Sequence, residues 1–77
     1  MEFHEGMIVR ANAGRDKQKF FVVVGLTQNK VLIADGKSRK LENPKQKNPK
    51  HLSMTTRSVN TENLTDKQLK SILAEFN

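Results

Sequence analysis

Apolar and polar positions alternate from Met7 to Asn12, so that Met7, Val9 and Ala11 fall on one side of an extended chain and Arg10 and Asn12 on the other. This pattern predicts a strand. It runs into Ala13-Gly14-Arg15-Asp16-Lys17, where Gly14 is free to take a positive φ and Arg15 and Lys17 flank the bend. Residues 20–26 form an apolar run rich in Phe and Val and predict a second strand that holds the cationic turn rigid. Within that run Phe20, Val22 and Val24 face one way and Phe21 and Val23 the other, so one of the two sets needs cover.

A third strand is predicted at residues 30–34, entered from Thr27-Gln28-Asn29, with Asn29 in the left-handed region of a tight turn. Asp35-Gly36 is a two-residue hairpin signal and predicts a fourth strand around residues 38–42, with Lys37, Arg39 and Lys40 at a second cationic tip. Residues 43–50 contain Asn-Pro-Lys twice, and the prolines predict a stiffened loop. A fifth strand is expected at residues 51–54 and a polar linker at 55–63. Thr65 and Gln68 have capping-box spacing, and Leu69, Ile72, Leu73 and Phe76 recur at i, i+3, i+4 and i+7. They predict an amphipathic helix over 64–77, and because about twelve helical residues are marginal alone in water it must dock on the strands, dock on another molecule or fray, with docking on the strands the first expectation. Five short strands and one helix predict a mainly β fold: a small SH3-like barrel over residues 6–54 with a C-terminal helix.

Seventy-seven residues suffice for one small core and one domain. There is no cysteine, so neither a disulfide nor a thiolate metal site is available. No apolar run approaches the roughly 20 residues that span a bilayer, and Met1-Glu2-Phe3-His4-Glu5 lacks the basic and apolar regions of a signal peptide. The cytoplasm is the expected location. Charge becomes informative once it is placed along the chain. Residues 10–51 hold eleven of the fourteen Lys and Arg against three acids, a net of +8, while the flanks are neutral or acidic. Such a region attracts a polyanion, and without a basic amphipathic helix nucleic acid is favoured over a membrane.

The Gly14-Arg15-Asp16-Lys17 core, with the strands on either side of it, resembles the KOW motif of several ribosomal proteins and some transcription elongation factors. Phe20-Phe21-Val22-Val23-Val24-Gly25, Val31-Leu32-Ile33-Ala34-Asp35-Gly36, Arg39-Lys40 and Lys50-His51-Leu52 extend the likeness over residues 6–54. They make the chain similar to small bacterial KOW-domain RNA-binding proteins related to large-subunit ribosomal proteins. Many KOW sequences place a second glycine after the lysine, where this chain has Gln18. The resemblance implies an RNA-binding protein of the translation machinery, with ribosomal RNA as partner and the large ribosomal subunit as its destination. KOW domains in elongation factors also bind proteins, so a protein-interaction module is the alternative.

The residues expected to contact RNA are Arg10, Asn12, Gly14, Arg15, Lys17, Lys19, Lys37, Arg39, Lys40, Lys45, Lys47 and Lys50. Arginine suits bidentate phosphate contacts and lysine acts as a point charge. Without Trp or Tyr there is no evident platform for stacked bases, which favours backbone and shape recognition of folded RNA. His4 and His51 lack acidic or thiol neighbours at ligand spacing, so no metal is expected. Ser38, Ser53, Ser58 and Ser71 lack a glycine elbow, Gly14 stands alone outside any phosphate-cradling pattern, and Asp16 is expected as a turn residue or as an ion-pair partner of Arg15 or Lys17. The expectation is therefore a binding protein without catalysis, cofactor or small-molecule substrate, monomeric when free.

Overall fold

The structure, a computed structural model, describes residues 2–77; Met1 lies outside them. Strands β1 (Met7–Ala11), β2 (Phe20–Leu26), β3 (Val31–Ala34), β4 (Lys45–Lys47) and β5 (Leu52–Ser58) form one antiparallel sheet in the order β4-β3-β2-β1-β5. Helix α1 (Asp66–Leu73) lies against one face. The fold is thus mainly β with one short terminal helix.

Alternation along β1 and β2 divides the apolar residues between the two faces. Met7, Val9, Ala11, Phe21, Val23, Val31, Ile33 and Leu52 form one buried cluster, with Phe3 and Met54 packed against it. No helix residue contributes to that cluster, so the strands supply its cover themselves, and the pairing register shifts between Met7 and Val9 and between Val23 and Gly25. Ile8, Val22 and Ala34 face the other way and are covered by Leu69 and Leu73, with Phe20, Val24, Ile72 and Phe76 at the margin. The set that needed cover is therefore Phe20, Val22 and Val24, and the helix supplies it. Leu69 is 0% and Leu73 2% exposed. At about 1.5–3 kcal/mol per buried leucine, this docking stabilises a helix too short to persist by itself. The capping box forms as expected: Gln68 N–H donates to Thr65 Oγ1 and Thr65 N–H to Gln68 Oε1, both at 3.1 Å.

Several local expectations are corrected. Residues 38–42 form no strand, because the Asp35 carboxylate accepts from Lys37 N–H at 2.9 Å, Arg39 N–H at 2.8 Å and the Ser38 hydroxyl at 3.0 Å. Those bonds curl the chain into a compact loop, which Leu41 N–H ties to the Asp66 carboxylate at 2.8 Å. The fourth strand is β4 instead, inside the segment expected to be all loop. Pro44 and Pro49 flank it, so the three residues between Pro44 and Asn48 keep their N–H groups and pair with β3 as a short edge strand. The fifth strand continues to Ser58, four residues past Met54, through pairing with β1 and a 2.6 Å bond from the Thr55 hydroxyl to the Ile8 carbonyl. The linker shortens accordingly. Asn29 does not take a positive φ; Thr27 closes that turn by accepting Lys30 N–H on its hydroxyl at 3.0 Å. The helix proper stops at Leu73, and residues 74–76 are a turn. Among the described residues no helix is long and apolar enough to cross a membrane.

Candidate nucleic-acid interface

The loop between β1 and β2 is tightly closed. Gln18 N–H donates to the Ala11 carbonyl at 2.6 Å and Ala11 N–H to Lys19 at 2.9 Å, while Lys17 N–H reaches Gly14 at 3.2 Å and Lys19 N–H reaches Asp16 at 2.9 Å. Gly14 sits at φ +80°, as the sequence predicts for the bend, and Gln18 at +72°. Arg15, Lys17 and Lys19 are exposed, and the single ion pair among the described residues uses none of them.

That ion pair joins Lys45 Nζ to the Asp16 carboxylate at 2.7 Å, correcting the expectation that Asp16 pairs with Arg15 or Lys17. Lys47 Nζ lies 3.5 Å from the Ala13 carbonyl. Lys45 and Lys47 share a face of β4 and are half-buried, so they brace the loop from beneath. Both were expected among the RNA contacts on a stiffened loop; the structure places them instead in a strand, each with a protein acceptor. The bracing leaves Arg15 and Lys17 as unpaired charges on a fixed backbone.

Arg10 is exposed on β1 opposite Ser53 of β5 and Phe20 of β2. Asn12 donates its N–H to the His51 carbonyl at 2.9 Å and its side-chain amide to the Ser53 hydroxyl at 3.1 Å. These bonds hold the Pro49–His51 turn, and with it exposed Lys50, next to the tip loop. Arg10, Asn12, Gly14, Arg15, Lys17, Lys19 and Lys50 therefore occupy one end of the sheet. Lys37 and Lys40 are exposed and Arg39 half-buried on the separate loop that Asp35 organises. A cleft of about 160 Å³ lined by Lys19, Asp35, Lys37 and Asn77 connects that loop with the first.

Sequence reasoning missed two neighbours of this region. Lys70 of α1 lines an adjoining cleft of about 210 Å³ with Lys37 and Asn77. Phe20 and Phe76 lie with ring centroids 5.4 Å apart, and the Arg57 guanidinium stands 5.3 Å above Phe76. The helical periodicity marked Phe76 as apolar-face and Lys70 as polar-face, but only docking brings the helix end to the start of β2. There Asn77 accepts Phe20 N–H at 2.9 Å. No three His, Asp or Glu side chains come together at metal-ligating distance among the described residues.

Two carboxyls are held below their ordinary value of 3.8. For Asp16 the hydrogen bond from Lys45 is the main cause, outweighing burial, with further help from the Lys45, Lys47 and Lys19 charges. For Asp35 burial acts upward, but the bonds from Arg39, Lys37 and Ser38 together outweigh it. Both groups release protons more readily folded than unfolded, so acid favours the unfolded chain. Their contribution to stability is complete above the unfolded value and is lost as the pH falls through the lower folded values. Thermal melts from pH 6 down to 2 should show a falling melting temperature below about pH 4, and Asp16→Asn with Asp35→Asn should flatten that fall.

Gln18 offers a second test. A non-glycine residue in the left-handed region costs about 1–2 kcal/mol, partly offset by glycine's larger unfolded-state entropy. Gln18→Gly should raise stability by roughly 0.5–1 kcal/mol, a few degrees in the melting temperature. A lowered melting temperature would mean that the Gln18 side chain contributes more than the backbone strain costs.

No family model matches the chain, and no curated protein matches it.

Proposed function

We propose that the chain is an RNA-binding protein of the translation machinery, an SH3-like barrel of the KOW type that grips ribosomal RNA by backbone and shape contacts from its cationic loops. The observation that carries this reading is the tip loop: Arg15 and Lys17 stand exposed, without a protein anion, on a backbone closed by its own hydrogen bonds and braced by Lys45 and Lys47. The closed backbone spares the loop its own ordering cost when the cations meet a phosphate, so that only side-chain rotamer freedom is lost on contact. Gln18 adds support, because it keeps a positive φ at the position where many KOW sequences have glycine. The partner is phosphate-rich RNA, with no cofactor, catalysis, small-molecule substrate or membrane involved, and the free protein is a cytoplasmic monomer.

Affinity for a structured RNA should fall steeply with salt. Tip loop, second loop and Lys50 together suggest roughly 4 to 6 neutralised phosphates, for a slope of log K against log salt of about −4 to −5. A slope near zero would favour the alternative, a protein-interaction module of a transcription or translation factor. Sedimentation of lysate through a sucrose gradient tests the cellular partner. Co-migration with large ribosomal subunits is expected, and confinement to the top of the gradient would remove the ribosome from the proposal.

A further inference from the structure

Three lysines from three separate elements converge where the helix ends. Lys19 closes the tip loop, Lys37 belongs to the loop after β3, and Lys70 lies in the last turn of α1. Two adjoining clefts join them: one of about 160 Å³ between Lys19 and Lys37, the other of about 210 Å³ between Lys37 and Lys70. Asp35, Lys37 and Asn77 line both. The carboxylate here is already engaged, since its oxygens take the N–H groups of Lys37 and Arg39 and the hydroxyl of Ser38. None of the three ammonium groups lies within ion-pair distance of it or of any other described acid.

The charge balance decides what such a cleft attracts. Across the two clefts three ammonium groups oppose the Asp35 carboxylate and about half a negative charge from the helix C-terminus, roughly +1.5, or roughly +0.5 if Asn77 carries a free α-carboxylate; both balances are positive. The walls are also held in place. Asn77 bonds the Phe20 N–H at 2.9 Å and the Phe20 carbonyl at 3.5 Å, and the Asp35 bonds fix the loop on the opposite side. We infer that this cleft seats a phosphate group of the nucleic-acid backbone, so that the interface extends from the tip loop across the end of the helix. The inference rests on the RNA-binding reading above and names a contact that reading does not require. Lys70, remote in sequence from both cationic loops, becomes part of the interface.

The test uses the full chain, isotope-labelled, titrated with an RNA hairpin and separately with inorganic phosphate. The hairpin should shift the backbone amides of Lys37, Lys70 and Asn77 together with those of Arg15 and Lys17. Inorganic phosphate at millimolar concentration should perturb the same cleft amides. Lys37→Gln with Lys70→Gln, both exposed positions, should weaken hairpin binding by about 5- to 20-fold at fixed salt and make the salt slope shallower by about one to two, with an unchanged melting temperature. Tip amides that respond while the cleft stays silent, with the double variant binding like the parent, would overturn the inference and leave the RNA-binding reading intact. Cleft amides that answer phosphate but not the hairpin would assign the cleft to a free anion. A hairpin that perturbs neither region would overturn both readings.

Discussion

Replacing Arg15 and Lys17 together by Gln will weaken binding to a structured RNA by roughly 30- to 150-fold at fixed salt, from about 1–1.5 kcal/mol for each charge-assisted contact. Lys30→Gln with Lys67→Gln removes the same charge and will cost only a few-fold. Lys30 sits in the turn beyond β2, at the opposite end of that strand from the tip loop, and Lys67 is in the first turn of α1. Gly14→Val leaves charge unchanged but puts a β-branched residue at φ +80°, which distorts the loop that aims both cations. It will reproduce much of the loss. Equal losses from the tip pair and the control pair, with both variants folded, would mean that diffuse charge rather than a shaped tip holds the RNA.

Gly36→Ala will lower stability by about 2–4 kcal/mol, a fall of roughly 10–25 °C in the melting temperature. Gly36 is buried at φ +78°, and a Cβ added there would press into the Asp66 carbonyl oxygen and lie 3.1 Å from the Lys70 amide nitrogen. Both are helix backbone, so relief requires α1 to lift from the sheet and re-expose Leu69 and Leu73. Leu69→Ala, which leaves Gly36 in place, will cost a comparable amount by opening a cavity in the same cluster. A Gly36→Ala melting temperature equal to the parent's would show that the helix does not depend on this close approach.

The contrast between Gly14 and Gly36 illustrates how far residue patterns reach. Gly14 lies between an alternating strand and an apolar one, so its turn was legible from neighbours only a few residues away. Gly36 invited a hairpin reading for the same local reason, yet its role is to admit a helix some thirty residues later in the chain. The same distance hid the partner of Asp16. Arg15 and Lys17 are adjacent in sequence, but both are exposed and the carboxylate goes to Lys45 of β4, 29 residues away. Lys45 and Lys47 read as loop charges because prolines flank them, and a three-residue edge strand is too short to show any period.

By itself, the sequence determined the elements whose information is local: β1 from period-two alternation, β2 from an unbroken run of Phe and Val, the bend at Gly14 from its missing side chain, and α1 from a capping box and a 3.6-residue apolar stripe. It also determined that a net charge of +8 lies within residues 10–51. Only the tertiary structure decided which of those charges are free. Lys45 and Lys47 are engaged beneath the tip loop, whereas Arg15 and Lys17 stand clear and Lys70 joins Lys19 and Lys37 across the helix end. The reason is physical. Periodicity and turn chemistry act through bonds between near neighbours, while the pairing of a charge depends on which surfaces the buried faces bring together. Those faces, set by Phe21 on one side of the sheet and Leu69 on the other, place a cation without regard to its position along the chain.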